Sequence, residues 1–300
     1  MYAIQTSSLT KYYISKGLWG RSKKNRGISD LNLAVCEGDF FGFIGPNGAG
    51  KSTTIRTLLG LISPTRGTAE VFGRDIVKEK NNILSDVGYM PSEAFFYRSQ
   101  KVKDILKLSA DFRHKDCSAE AGRLCERLSL DTEKKIFELS LGNRKKVSIV
   151  CALQHMPRLC VLDEPTSGLD PLMQREFYAI LEERNQQGTT IFLSSHVLSE
   201  VQRHCRHAAI IREGKLLVSD SVEKLGHTNA KRVTVRGIDT PPALSQIKDV
   251  QKSGDTLRFL YSGEPETLLR ALADLPLTDL SITEPDLEEI FLHYYTKEAV

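Results

Sequence analysis

The chain has one tryptophan, four methionines and six cysteines among its 300 residues, and aromatics make up only 7 %. The cysteines, Cys36, Cys117, Cys125, Cys151, Cys160 and Cys205, contain no Cys-x-x-Cys pair. That argues against a disulfide framework and suits reduced thiols used as small hydrophobes in the cytosol. No apolar run is long enough to cross a bilayer, and Met1-Tyr2-Ala3-Ile4-Gln5 lacks a signal-peptide pattern. Any work at a membrane therefore calls for a separate membrane subunit. Neither sign of charge dominates: 41 basic against 38 acidic residues leave +3, too balanced for a nucleic-acid binder, and none is expected as a partner.

The chain does hold Gly45-Pro46-Asn47-Gly48-Ala49-Gly50-Lys51-Ser52-Thr53. This is the Gly-x-x-x-x-Gly-Lys-Ser/Thr pattern, whose glycines let successive N–H groups curl around phosphate oxygens. Lys51 brings a point charge to the β and γ phosphates of ATP, and the Ser52 hydroxyl is placed for Mg2+. The flanks agree with the motif: Asp39 to Ile44 reads as a buried strand and Thr53 to Leu59 as the following helix.

A second apolar strand, Leu159-Cys160-Val161-Leu162, runs into Asp163-Glu164-Pro165. Alone, the two acids are an ordinary solvated turn. About a hundred residues after a complete phosphate loop, Asp163 becomes the candidate Mg2+ partner through a water, and Glu164 the base or water-orienting group.

These pieces resemble the ATP-binding subunits of ABC transporters. Leu139-Ser140-Leu141-Gly142-Asn143 stands where that family carries Leu-Ser-Gly-Gly-Gln, with Leu141 and Asn143 departing from it. The resemblance implies that Ser140 and Gly142 cap the γ phosphate of ATP held by an opposite subunit, in a homodimer or a pair with a similar chain. Ser167-Gly168-Leu169-Asp170 matches the family's dimer-contact loop. Ser194-Ser195-His196 matches the strand end whose histidine contacts the γ phosphate; the other six histidines read as surface or core residues. Alignment through Leu9 to Tyr13 points to Tyr13 as the adenine-stacking ring, with Tyr12 competing. After Pro91 the family usually has a glutamine that touches the metal; Ser92 stands here, with Glu93 next.

The expected architecture is an α/β P-loop ATPase of ABC type over residues 1–222, with a helical subdomain at about 91–148 carrying the signature. A small α+β domain is expected over 223–300. Its strands should be Lys231 to Arg236, Thr256 to Tyr261 and Leu277 to Ile282, with a helix from Glu266 to Ala273. The segment Ser15 to Gly27, basic and Gly-rich, reads as a solvated loop, the rival reading being a hairpin tip that carries charge to lipid or a partner. Glu284 to Tyr295 resembles the ending of ATPase subunits from multidrug- and antibiotic-type exporters. The functional expectation is an ATPase that energises separate transmembrane permease subunits, from the cytoplasmic side of the membrane. Two rivals are an ABC-type ATPase acting on nucleic acid or ribosomes, and a metabolic P-loop kinase. The first usually shows paired ATPase domains or long insertions, and the second lacks the signature and His196.

Overall fold

The computed structural model describes residues 1–16, 22–226 and 231–283. Its strands up to the phosphate loop are β1 (Tyr2–Lys16), β2 (Ser22–Leu31), β3 (Ala34–Cys36) and β4 (Phe40–Ile44), followed by helix α1 (Lys51–Leu58). Next come β5 (Arg66–Val71), β6 (Arg74–Asp75), α2 (Lys80–Asp86) and β7 (Val87–Met90). Helices α3 (Val102–Asp111), α4 (Ser118–Arg127) and α5 (Leu141–Leu153) follow, and then β8 (Leu159–Asp163), α6 (Pro171–Gln186), β9 (Thr190–Ser195) and α7 (Leu198–His204). The hairpin strands β10 (His207–Arg212) and β11 (Lys215–Ser221) lead to α8 (Val222–Gly226). The last described elements are β12 (Lys231–Arg236), β13 (Ile247–Ser253), β14 (Thr256–Tyr261), α9 (Pro265–Ala273) and β15 (Asp279–Thr283).

The chain divides into two compact units, Met1–Asp220 and Ser221–Val300. In the first, a six-stranded sheet is ordered β11-β10-β4-β9-β8-β7. Its strands from β10 to β7 run parallel. β4, β8 and β9 are buried at every position, which explains why they read as unbroken apolar runs rather than alternating ones. Phe41 and Phe192 stack across adjacent strands with centroids 5.8 Å apart. Register matters most at the carboxyl ends: Ile44 pairs with Ser195, and Asp163 with Ser194. The loops after β4, β8 and β9 therefore leave the sheet side by side, at the edge where open α/β sheets bind ligands. A second, antiparallel sheet is ordered β2-β1-β5-β6, with β3 on β1.

The segment expected as a loop at 15–27 is largely strand: β1 and β2 pair down to Lys16 opposite Ser22, while residues 17–21, Trp19 among them, lie outside the described residues. Backbone pairing to β1 offsets the low strand propensity of this basic, polar run. The β10–β11 hairpin turns through Glu213 and Gly214, both at positive φ (49° and 77°), the geometry a two-residue hairpin turn requires.

The second unit is a four-stranded sheet ordered β13-β14-β12-β15. Val233, Val235, Leu257, Phe259 and Tyr261 form its core with Leu268 and Leu272 of α9. Sequence reading missed β13, whose Ile-Lys-Asp-Val-Gln-Lys-Ser run is exposed at six of seven positions; an edge strand with little to bury has no apolar alternation to display. The strand expected from Leu277 begins two residues later, at Asp279. The element expected over Glu284 to Tyr295 lies outside the described residues.

Candidate active site

Helix α1 starts directly after Gly50, a residue at φ +108 where a Cβ would press within 2.6 Å of the Gly27 carbonyl, so only glycine fits. Gly48 sits at φ +80 with nothing within 4 Å of a notional Cβ, leaving the loop open on its ligand side. The first turn of α1 contains no acidic residue of its own, so its N–H groups are left to meet an anion from outside the helix. The loop itself is anchored by Ala49 N–H donating to Pro46 O (3.1 Å) and Gly214 N–H donating to Ala49 O (2.8 Å).

This loop forms one wall of a cavity of about 300 Å³. Pro46, Asn47, Gly48, Gly50, Lys51, Ser52 and Thr53 line it, with Glu164 and Ser92 facing them. Gly45 and Ala49 shape the loop without lining the cavity. Tyr13, 40 % exposed, forms the far end, its hydroxyl 3.3 Å from Thr53 Oγ1. Arg26 and Gly27 of β2 stand beside it. Sequence reading missed Arg26 because it counted as one more charge in a basic loop; its pairing opposite Tyr12 on β1 is what delivers it.

At the sheet edge the polar groups converge. Lys51, 6 % exposed, donates to Gly45 O (2.6 Å) and Pro46 O (3.3 Å) and forms an ion pair with Glu164 Oε1 at 3.1 Å. The other oxygen of that carboxylate, Oε2, accepts from His196 Nδ1 at 2.7 Å. Glu164 itself is held at φ +51, a conformation costing roughly 1–3 kcal/mol that persists only where the surroundings over-determine it. Its N–H donates to Ser194 O and to Ser194 Oγ, both at 3.2 Å. Asp163 lies behind it, 1 % exposed, with Oδ1 accepting from Ser194 Oγ at 2.6 Å and Oδ2 buried without a hydrogen bond. Burial and the Asp163 charge push the Tyr89 hydroxyl above its usual pKa.

Ser140 and Gly142 do not line this cavity. The Ser140 hydroxyl caps α5 by accepting from Asn143 N–H (3.2 Å), and a Cβ on Gly142 would sit 3.0 Å from Gly168 O. The Leu141 side chain, 65 % exposed, reaches over Gly168. The signature and the Ser167–Gly168 loop thus form one surface, and Asp170 at its end caps α6 by accepting from Met173 N–H at 3.0 Å.

A phosphate loop between a buried parallel strand and a helix, facing an acidic strand end, defines a P-loop nucleotide hydrolase. The family model described as ABC transporter matches residues 28–167. The bacitracin transport ATP-binding protein BcrA of Bacillus licheniformis is 35 % identical over 96 % of this chain and 96 % of its own length. The chain belongs to the ABC transporter family, among its ATP-binding, ATP-hydrolysing subunits. A solved structure titled as the ATP-binding subunit of an ABC transporter is 27 % identical and covers 74 % of this chain and 91 % of its own, with a TM-score of 0.65. A dimeric ATP-binding cassette in a post-hydrolysis state with ADP and Pi shares the fold at a TM-score of 0.66, with 20 % identity over 73 % of this chain and 98 % of its own. Among the described residues no helix is long and apolar enough to cross a membrane.

Proposed function

We propose that the chain is the ATP-hydrolysing motor of a separately encoded membrane exporter, acting as one half of a two-ATP pair on the cytoplasmic face of the membrane. The observation that carries this reading is the Lys51–Glu164–His196 chain at the floor of the phosphate loop. The Lys51 ammonium is compensated by the Glu164 carboxylate. When ATP enters, its β and γ phosphates take over Lys51, which frees Glu164 Oε1 to accept the proton of an attacking water. His196 keeps Oε2 engaged, so the carboxylate turns towards the water rather than swinging away. Tyr13 offers a ring face to adenine, and Arg26 a cation beside it.

The donor set suits Mg2+, a hard cation that favours carboxylate, hydroxyl and water oxygens. Asp163 Oδ2 is a buried carboxylate oxygen with no hydrogen bond, and Ser52 lines the cavity. Bound there, Mg2+ would neutralise charge on the phosphates. Ser92 also lines that cavity, whereas Glu93 lines an outer groove and not the nucleotide site. Water rather than Glu93 then fills the place of the missing glutamine amide.

Ser140 and Gly142, turned away from their own cavity, are the groups that complete a second subunit's site. That outer groove, about 480 Å³ and rimmed by Phe95 at 90 % and Phe137 at 52 % exposure, starts at Ser92 and supports a role in sensing a membrane partner. Purification with the permease, followed by phosphate release in proteoliposomes, tests the proposal. Stimulation of phosphate release to water by the membrane subunit is expected; transfer of phosphate to an acceptor molecule, or indifference to any membrane subunit, overturns it.

A further inference from the structure

Lys145 stands on the second turn of α5, two residues past the signature, and is only 7 % exposed. Its ammonium donates to Ser92 O and to Glu164 O, each at 2.9 Å. Burial lowers its pKa, while Asp163, Glu164 and Glu93 draw it back up. An ammonium so placed gives up most of its hydration. An alkyl side chain would fill the same space without that cost, so the donors themselves need a reason.

Each of the two carbonyls belongs to a segment with a task. Ser92 faces both the nucleotide cavity and the outer aromatic groove. Glu164 carries the carboxylate that faces Lys51, on a backbone at φ +51. That backbone is fixed on its N–H side by Ser194 and on its carbonyl side by Lys145. Without the second anchor only the Ser194 contacts on the N–H side and the fixed φ of Pro165 hold the positive-φ backbone from which the Glu164 carboxylate projects.

We infer that Lys145 is a positioning residue for hydrolysis: its ammonium ties the signature helix α5 to the Ser92 loop and to the peptide of Glu164, so that a shift of the helix or the loop is felt at the carboxylate. The inference rests on the reading of Glu164 as the water-activating group. It gives the groove beside Ser92 and the surface presented to a second subunit a common mechanical link to that group.

The test is a double-mutant comparison on the full chain, reading kcat for ATP and the Kd of a fluorescent ATP analogue. Lys145→Met should lower kcat roughly ten- to hundredfold with Kd within about threefold, since a loosened general base loses transition-state stabilisation and not ground-state binding. Lys145→Gln, which keeps two N–H donors, should recover part of the loss. In a Glu164→Gln background, Lys145→Met should remove less than about threefold more in single-turnover assays, because the group it positions is already disabled. An unchanged kcat, or the same fold-loss with and without the Glu164 carboxylate, overturns the inference. If Lys145→Met does not yield folded protein, Lys145→Ala, which also lacks the donors to Ser92 O and Glu164 O, takes its place in the same comparison, and the same two outcomes overturn the inference. Glu164→Gln alone hydrolysing at the parent rate instead sinks the reading of Glu164, and is seen separately.

Discussion

The Lys51 ammonium and the Glu164 carboxylate lie 3.1 Å apart at the floor of the phosphate loop, the first 6 % and the second 16 % exposed. A buried charge is tolerated when a partner compensates it, and losing one member leaves the other unsatisfied. In this pair the partner is exchangeable: phosphate oxygens compete with Glu164 for the same ammonium. On the proposed reading of Glu164 as the general base, ATP binding and release of that base are one event, because the lysine cannot serve both anions equally.

Glu164→Gln is expected to keep ATP binding and lose hydrolysis by orders of magnitude, since an amide cannot accept the proton of the attacking water. It also removes the anion that competes with phosphate for Lys51, so ATP affinity should rise by a few-fold rather than fall. Equilibrium binding of a fluorescent ATP analogue together with steady-state phosphate release checks both halves. Hydrolysis at the parent rate would remove Glu164 from the mechanism.

A division between own-site and opposite-site roles follows from where the side chains point. Lys51 lines its own cavity, whereas Ser140 is a helix cap on a surface shared with Gly168. Lys51→Ala should therefore abolish binding at its own site. Ser140→Ala should leave the ATP affinity of a dilute monomer within about twofold and weaken ATP-dependent pairing. It also costs about 1 kcal/mol of stability as a lost cap. Light scattering with and without ATP, on chains mixed so that each carries one substitution, separates the two. Loss of ATP affinity in the monomeric Ser140 variant would break the two-subunit reading.

Much of this site was legible because its parts are tied to backbone necessity. A phosphate loop needs glycine where φ is positive, and a fully buried parallel strand needs an unbroken apolar run, so Gly48, Gly50 and Leu159 to Asp163 announce themselves. Arg26 and Lys145 did not, for a different reason. Each is one basic residue in a basic run, Arg26 among Lys23, Lys24 and Arg26 and Lys145 in Arg144-Lys145-Lys146, and sequence carries no mark of which member folds inward. Strand pairing singles out the first, and the pitch of α5 turns the second towards Glu164 while Arg144 reaches back to Leu139 O. The strain at Glu164 was equally silent, because it comes from Ser194 and Lys145, distant in sequence from the strand end they hold.

The buried His155 offers a test of the fold that is independent of catalysis. It follows α5 at 2 % exposure, Nε2 lies 3.3 Å from Val87 O, and Nδ1 has no partner. Burial, reinforced by the nearby Arg113 and Lys115 cations, holds its pKa down to about 3. The unfolded chain titrates near the ordinary value of about 6.5, so above that pH the ring is neutral in both states and stability is insensitive to it. As pH falls from about 6.5 towards 3, the unfolded chain takes up a proton that the folded chain refuses. Stability then drops by up to roughly 1.4 kcal/mol per pH unit. Between pH 7 and pH 5 this amounts to about 2 kcal/mol. His155→Gln, which keeps a donor for Val87 O and does not titrate, should lose that much less stability than the parent over the same interval. Urea unfolding of both chains at the two pH values measures the difference; parallel losses would mean that His155 is protonated in the folded state.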